Sequence, residues 1–135
     1  MSARTVFLSR LIGIYCILFA LAMAINKQAT VATVVALVHD APTLFVFGLV
    51  VVAAGLAIVL THNIWSGGVL TVIVTIIGWL TLIKGLVFLF VPPATAVGIV
   101  IWGSAYDQYF YLDMALALLL GIYLTYESFR LEKSS

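Results

Sequence analysis

The chain has 135 residues, of which 65% are hydrophobic and 8% charged, with a net charge of +1. A soluble domain carries roughly 25% charged residues, so this composition excludes one and makes lipid the solvent. The near-neutral charge leaves no basic patch to hold phosphates, which excludes nucleic acid as a partner, and the single cysteine, Cys16, excludes an intrachain disulfide.

Four stretches approach the roughly 20 apolar residues that a bilayer core requires: Val6–Ile25, Leu44–Leu60, Val69–Val91 and Gln108–Phe129. All are expected to be helices, because hydrocarbon offers unpaired backbone groups no partner. The first follows Arg4 and Arg10 and ends in an Ala22-Met23-Ala24 run that imitates a signal-peptide cleavage site. It exceeds the 7–15 residues of a secretory h-region, so it reads as a retained span. Cys16, in its middle, is expected to pack as a small apolar residue.

An apolar connector of about 11 residues, Ala29 to His39, follows the first span. It is too short to cross and suits an interfacial or re-entrant helix; lying on the membrane or capping the bundle is favoured over forming a pore helix. Asp40, followed by Ala41 and Pro42, is placed as the N-cap of the second span, with proline in the first turn. The loop Thr61-His62-Asn63-Ile64-Trp65-Ser66-Gly67-Gly68 then separates two halves of the chain. Its double glycine permits a tight turn, and Trp65 has the place of an interfacial anchor. The third span carries Lys84, its only charge, and stops at Pro92-Pro93. A second apolar connector leads to Asp107, expected to cap the fourth span, within which lies Asp113. Tyr106, Tyr109, Phe110 and Tyr111 have the pattern of an interfacial aromatic girdle.

The halves resemble each other. At an offset of 65, LIGIYCILFALAMAINKQATVATVV aligns with IIGWLTLIKGLVFLFVPPATAVGIV, with Ile12/Ile77, Gly13/Gly78, Leu21/Leu86, Ala29/Ala94, Thr30/Thr95 and Val35/Val100 identical. The implied unit is helix, short outer connector, helix, repeated in parallel about an axis along the membrane normal. Repeat 1 covers about residues 6–65 and repeat 2 about 69–130, within a single transmembrane domain spanning 1–135. Phe19 stands where Lys84 stands in the second copy. Each span also has a stripe of small residues: Gly13, Cys16, Ala20 and Ala24; Gly48 and Gly55; Thr71, Thr75, Gly78 and Gly85; Ala117, Gly121 and Thr125. Such stripes let helices approach closely in lipid.

Three places invite chemistry. A lysine within hydrocarbon costs roughly 2.5–3.5 kcal/mol on insertion scales. Lys84 lies about 10 Å below the outer end of its span and Asp113 about 9 Å below its own, counted at 1.5 Å per residue. Asp113 also continues the Ala117 stripe, so a buried Lys84–Asp113 pair is one way to hold both charges. A static staple, a lysine that snorkels outward and a ligand contact are the open readings. At the other end, His62, Asn63 and Glu127 form a candidate cytoplasmic polar cluster, in which a tight capped loop outweighs a proton site. His39 and His62 are assigned to opposite sides, and no Cys/His/carboxylate spacing suits a metal. No metal, other cofactor or catalytic residue is expected.

HNIW, followed by a span containing GWLTLIKG and closed by proline, resembles a group of small uncharacterised four-helix bacterial inner-membrane proteins. The resemblance rests on His62, Asn63, Trp65, Gly78, Trp79, Lys84, Gly85 and Pro92, about the central third of the chain. It implies a bacterial inner-membrane home and carries over no site residues. Arg4, Arg10, Arg130 and Lys133 flank the bundle on one side, against Lys27 alone on the other, which places both termini in the cytoplasm. The expected fold is an all-α integral-membrane four-helix bundle. The expected function is a non-catalytic membrane subunit, packing with itself or with a membrane-protein partner. The alternative is an oligomeric permeation pathway with Lys84 and Asp113 near its outer mouth. An intramembrane enzyme ranks last, because catalytic spacing is absent.

Overall fold

In a computed structural model of the chain, five helices are formed and no strand occurs among the described residues, which are 2–92, 94–95 and 106–134, excluding the side chains of 106–109. They are α1 (Ala3–Ile25), α2 (Lys27–His39), α3 (Ala41–Thr61), α4 (Val69–Phe90) and α5 (Tyr106–Lys133). Four are long and apolar enough to cross a bilayer: α1, α3, α4 and the Phe110–Lys133 part of α5. The protein is thus an all-α, multi-pass membrane bundle, and each expected span falls on one of these helices.

Local chemistry sets most boundaries. Ser2 caps α1 by accepting from the Thr5 amide at 3.3 Å, and Asn26 caps α2 by accepting from the Ala29 amide at 3.1 Å. Asp40 caps α3 as expected, its carboxylate accepting from the Thr43 amide at 3.1 Å, with Pro42 in the first turn, where a missing N–H is harmless. The first connector is helical as α2, with its single buried residue, Val38, between α1 and α3 in the chain. The second connector lies largely outside the described residues. Asp107 requires a correction: α5 already includes Tyr106, so Asp107 stands inside helical backbone instead of at the N-cap.

The helices associate as two close pairs, α3 with α4 and α1 with α5. Glycine permits both approaches. A Cβ on Gly55 would lie 2.5 Å from the Leu82 amide nitrogen, and one on Gly85 would lie 2.7 Å from that of Val52. In the other pair, a Cβ on Gly121 would lie 2.8 Å from the Gly13 carbonyl oxygen and 3.0 Å from the Ile17 amide nitrogen. Because backbone itself is the neighbour, rotamer changes cannot relieve such contacts. Leu8 and Ile12 of α1, Leu70 and Val74 of α4 and Leu124 of α5 then lock the pairs together in one buried cluster, with Ile58 of α3 against it. A second cluster, Leu44 with Phe88, belongs to the α3/α4 pair.

Replacing Gly55 or Gly121 by alanine should destabilise the bundle by about 1–3 kcal/mol through overpacking. Unfolding in mixed micelles titrated with denaturing detergent measures this, with Ala53→Leu, at an exposed position of α3, expected to change little.

Candidate functional site

The most connected polar structure is at the end of the bundle where α3 turns into α4. His62 caps α3, donating its amide to the Ile58 carbonyl at 2.7 Å, and its residue is fully buried. Its Nε2 lies 3.2 Å from the Thr71 carbonyl oxygen. A carbonyl only accepts, so Nε2 must carry a proton. In the neutral ring, Nδ1 then accepts from the Thr5 hydroxyl, 3.5 Å away, and Thr5 is within 2.9 Å of the Ser2 hydroxyl. The ring therefore links the start of α1, the loop and the first turn of α4, and the chain of hydroxyls ends at exposed Ser2.

The rest of the loop is fastened to α4 by the same kind of bond. The Thr75 hydroxyl accepts from the Ile64 amide at 3.2 Å and donates towards the Ile64 carbonyl at 2.8 Å. Asn63 Oδ1 accepts from both indoles, Trp65 at 2.9 Å and Trp79 at 3.3 Å. Gly67 and Gly68 complete the turn with φ of +100° and +125°, a region that side chains rarely adopt. His62, Asn63, Trp65 and Trp79, drawn from the HNIW and GW sequences, thus form one clasp in which every polar group named meets a partner.

Glu127 is not part of it. Its carboxylate instead accepts from Arg130 on the same helix at 3.0 Å, so the expected His62–Glu127 pair is not formed. The reason is that His62 is turned inwards to Thr71 and Thr5, while the partly buried Glu127 is taken by Arg130 of its own helix. A stronger interaction on this side is one that sequence reasoning missed. Arg10 pairs with Glu132 and lies 4.0 Å from the Phe129 ring centroid. Arg10, expected as a flanking charge, stands inside α1, braced against the last turns of α5. Near it, Ser9 Oγ and Thr125 Oγ1 are buried without a hydrogen-bond partner among the described residues.

Lys84 and Asp113 are both exposed, and no ion pair joins them. This corrects the expected buried pair. The pairing of helices explains it, since α4 packs on α3 and α5 on α1. Helical winding explains the rest. An i, i+4 row drifts by about 40° at each step, so Asp113 lies about 80° round from Gly121, the residue that touches α1. Lys84 is about 100° from the α3-facing Gly85 by the same geometry. Its Nζ is 5.9 Å from the Phe88 ring centroid, one turn towards the end of α4, the direction expected of a snorkelling lysine. Lys27, on the same side of the bundle, lies over the Phe110 and Tyr111 rings at 5.5 and 4.8 Å. Phe110 is fully buried and Tyr111 exposed, so only part of the expected girdle is superficial.

No group of three or more His, Cys, Asp or Glu positioned to hold a metal occurs among the described residues. His39 is at the far end of the bundle from His62, with Nδ1 2.7 Å from the Val35 carbonyl oxygen. Comparison with family models, curated proteins and solved structures finds no match.

His62→Ala should cost about 1–3 kcal/mol for the polar groups it leaves unpaired, whereas Glu127→Gln should cost less than about 1 kcal/mol, because its partner Arg130 is largely exposed and glutamine keeps an acceptor oxygen. Detergent-titrated unfolding of the two variants checks the assignment.

Proposed function

We propose that this chain is a non-catalytic subunit of the bacterial inner membrane, with both termini in the cytoplasm, that works by packing against a second copy of itself. The single observation behind this reading is the state of Lys84 and Asp113. They are opposite charges, each exposed on a span helix and without an ion pair to the other. A charge on a lipid-facing surface is costly, and two of opposite sign are complementary when two copies meet about a twofold axis. In such an isologous interface, Lys84 of each copy meets Asp113 of the other, so one contact is made twice.

The internal repeat belongs to the same proposal. Gly55 touches Leu82 and Gly121 touches Ile17, and Ile17 and Leu82 are counterparts at the 65-residue offset. Gly55 and Gly121 stand 66 apart, one residue out of that step, and laying one half on the other exchanges the α3/α4 and α1/α5 pairs. Permeation draws less support, because the groove between α1 and α3 is lined mostly by apolar groups, with Arg4 its one charge.

Charge exchange tests the association. Lys84→Asp and Asp113→Lys, each expressed alone, should lose the dimer in mild detergent. The double variant should regain it, and the two single variants expressed together should form mixed dimers. A wild-type chain that is monomeric in both detergent and cross-linked membranes would sink the reading.

A further inference from the structure

An open apolar groove of about 630 Å³ runs between α1 and α3. Its floor includes Leu8 and Ile58, which belong to the core joining the helix pairs. Leu11 forms part of the α1 wall, while Ala54 and Ala57 leave the α3 wall low. The Thr61 hydroxyl, at one end, is turned back to its own helix at 2.5 Å from the Ala57 carbonyl oxygen, so it offers the groove little polarity. Arg4 is the one charged residue of the lining. It is exposed, and no carboxylate pairs with it among the described residues.

The arrangement is amphiphilic along its length. From Arg4 to Leu11 the groove follows α1 for about 10 Å at the helical rise, so a cation stands at the bundle end and apolar wall extends into the membrane. We propose that the groove is a binding site for an anionic phospholipid, with the phosphate on Arg4 and one acyl chain between α1 and α3. Charge complementarity selects this occupant over a neutral lipid: the same end carries Arg130 and Lys133, the basic end assigned above to the cytoplasm, where anionic lipids give the leaflet a negative surface. A second copy of the chain does not suit the position, because the charges that would pair two copies lie towards the opposite end of the bundle.

Native mass spectrometry of the full chain released from detergent, after exchange into equal phosphatidylglycerol and phosphatidylcholine, tests the site. The wild type should retain one phosphatidylglycerol with a preference of about fivefold, the ratio that one basic residue near a membrane surface supplies. Arg4→Gln should bring retention of the two lipids to parity. Ala57→Phe, at an exposed position where added bulk leaves the helix pairs intact, should abolish retention of both, and Ala54→Leu should weaken it if Ala57→Phe fails to fold. Glycerol phosphate, which has charge but no acyl chains, should not be retained. Equal retention of both lipids by the wild type, a preference that survives Arg4→Gln, or binding that survives both filled-groove variants overturns the proposal.

Discussion

Backbone-to-backbone contact within each helix pair is the constraint on which the rest of this bundle depends. Lipid tails are as apolar as leucine, so burying apolar side chains gives the helices no hydrophobic reason to associate. What remains is dispersion, which falls off within a fraction of an ångström. Gly55 against Leu82 and Gly121 against Gly13 and Ile17 bring the axes close enough to collect it. The central cluster of Leu8, Ile12, Leu70, Val74 and Leu124 is a consequence, because two tight pairs can share only one narrow seam.

The polar clasp at His62 solves a different problem. A hairpin between two spans must reverse direction where the backbone passes from hydrocarbon towards water, and its groups need partners on the dry side. His62 satisfies the Thr71 carbonyl, Thr75 holds the Ile64 peptide, and Asn63 takes two indole donors. The loop thereby fixes the register of α3 against α4, which in turn brings Gly55 opposite Leu82. A titratable side chain has been used here as a structural bracket.

The sequence carried the fold clearly because a bilayer leaves few alternatives. Apolar length gave the four spans, Asp40 and Pro42 gave the start of α3, and the small-residue stripes held the glycines of both contacts. The site was less legible, and the failures share a cause. Equal depth suggested that Lys84 and Asp113 meet, but depth is one coordinate, and the angle about the axis is another. An i, i+4 row followed for two steps rotates Asp113 well away from the face that Gly121 presents to α1. Arg10 falls within the expected first span, but apolar length says nothing of what lies beside it, and its partner Glu132 is 122 residues away in the chain. Thr5 gave no signal because a lone hydroxyl in an apolar run is unremarkable until a histidine is seen to face it, and Thr71 meets His62 through its backbone carbonyl, which any residue there would supply.

The cationic side chains then divide the molecule. Arg10 is paired with Glu132 and stacked on Phe129, and Lys27 rests on Phe110 and Tyr111; both are engaged in holding the bundle's own helices. Among the described residues Lys84 reaches only its own Phe88, and Arg4 has no acidic partner. Among the described residues Lys133 likewise has no acidic partner and Arg130 pairs only within its own helix, so several of the few charges hold no two helices together. The positions of Lys84 and Arg4, one exposed on a span helix and one at the mouth of a groove, are where the proposed second copy and lipid phosphate would each meet opposite charge. The internal charges account for how the bundle stands, and the external ones for what it can touch.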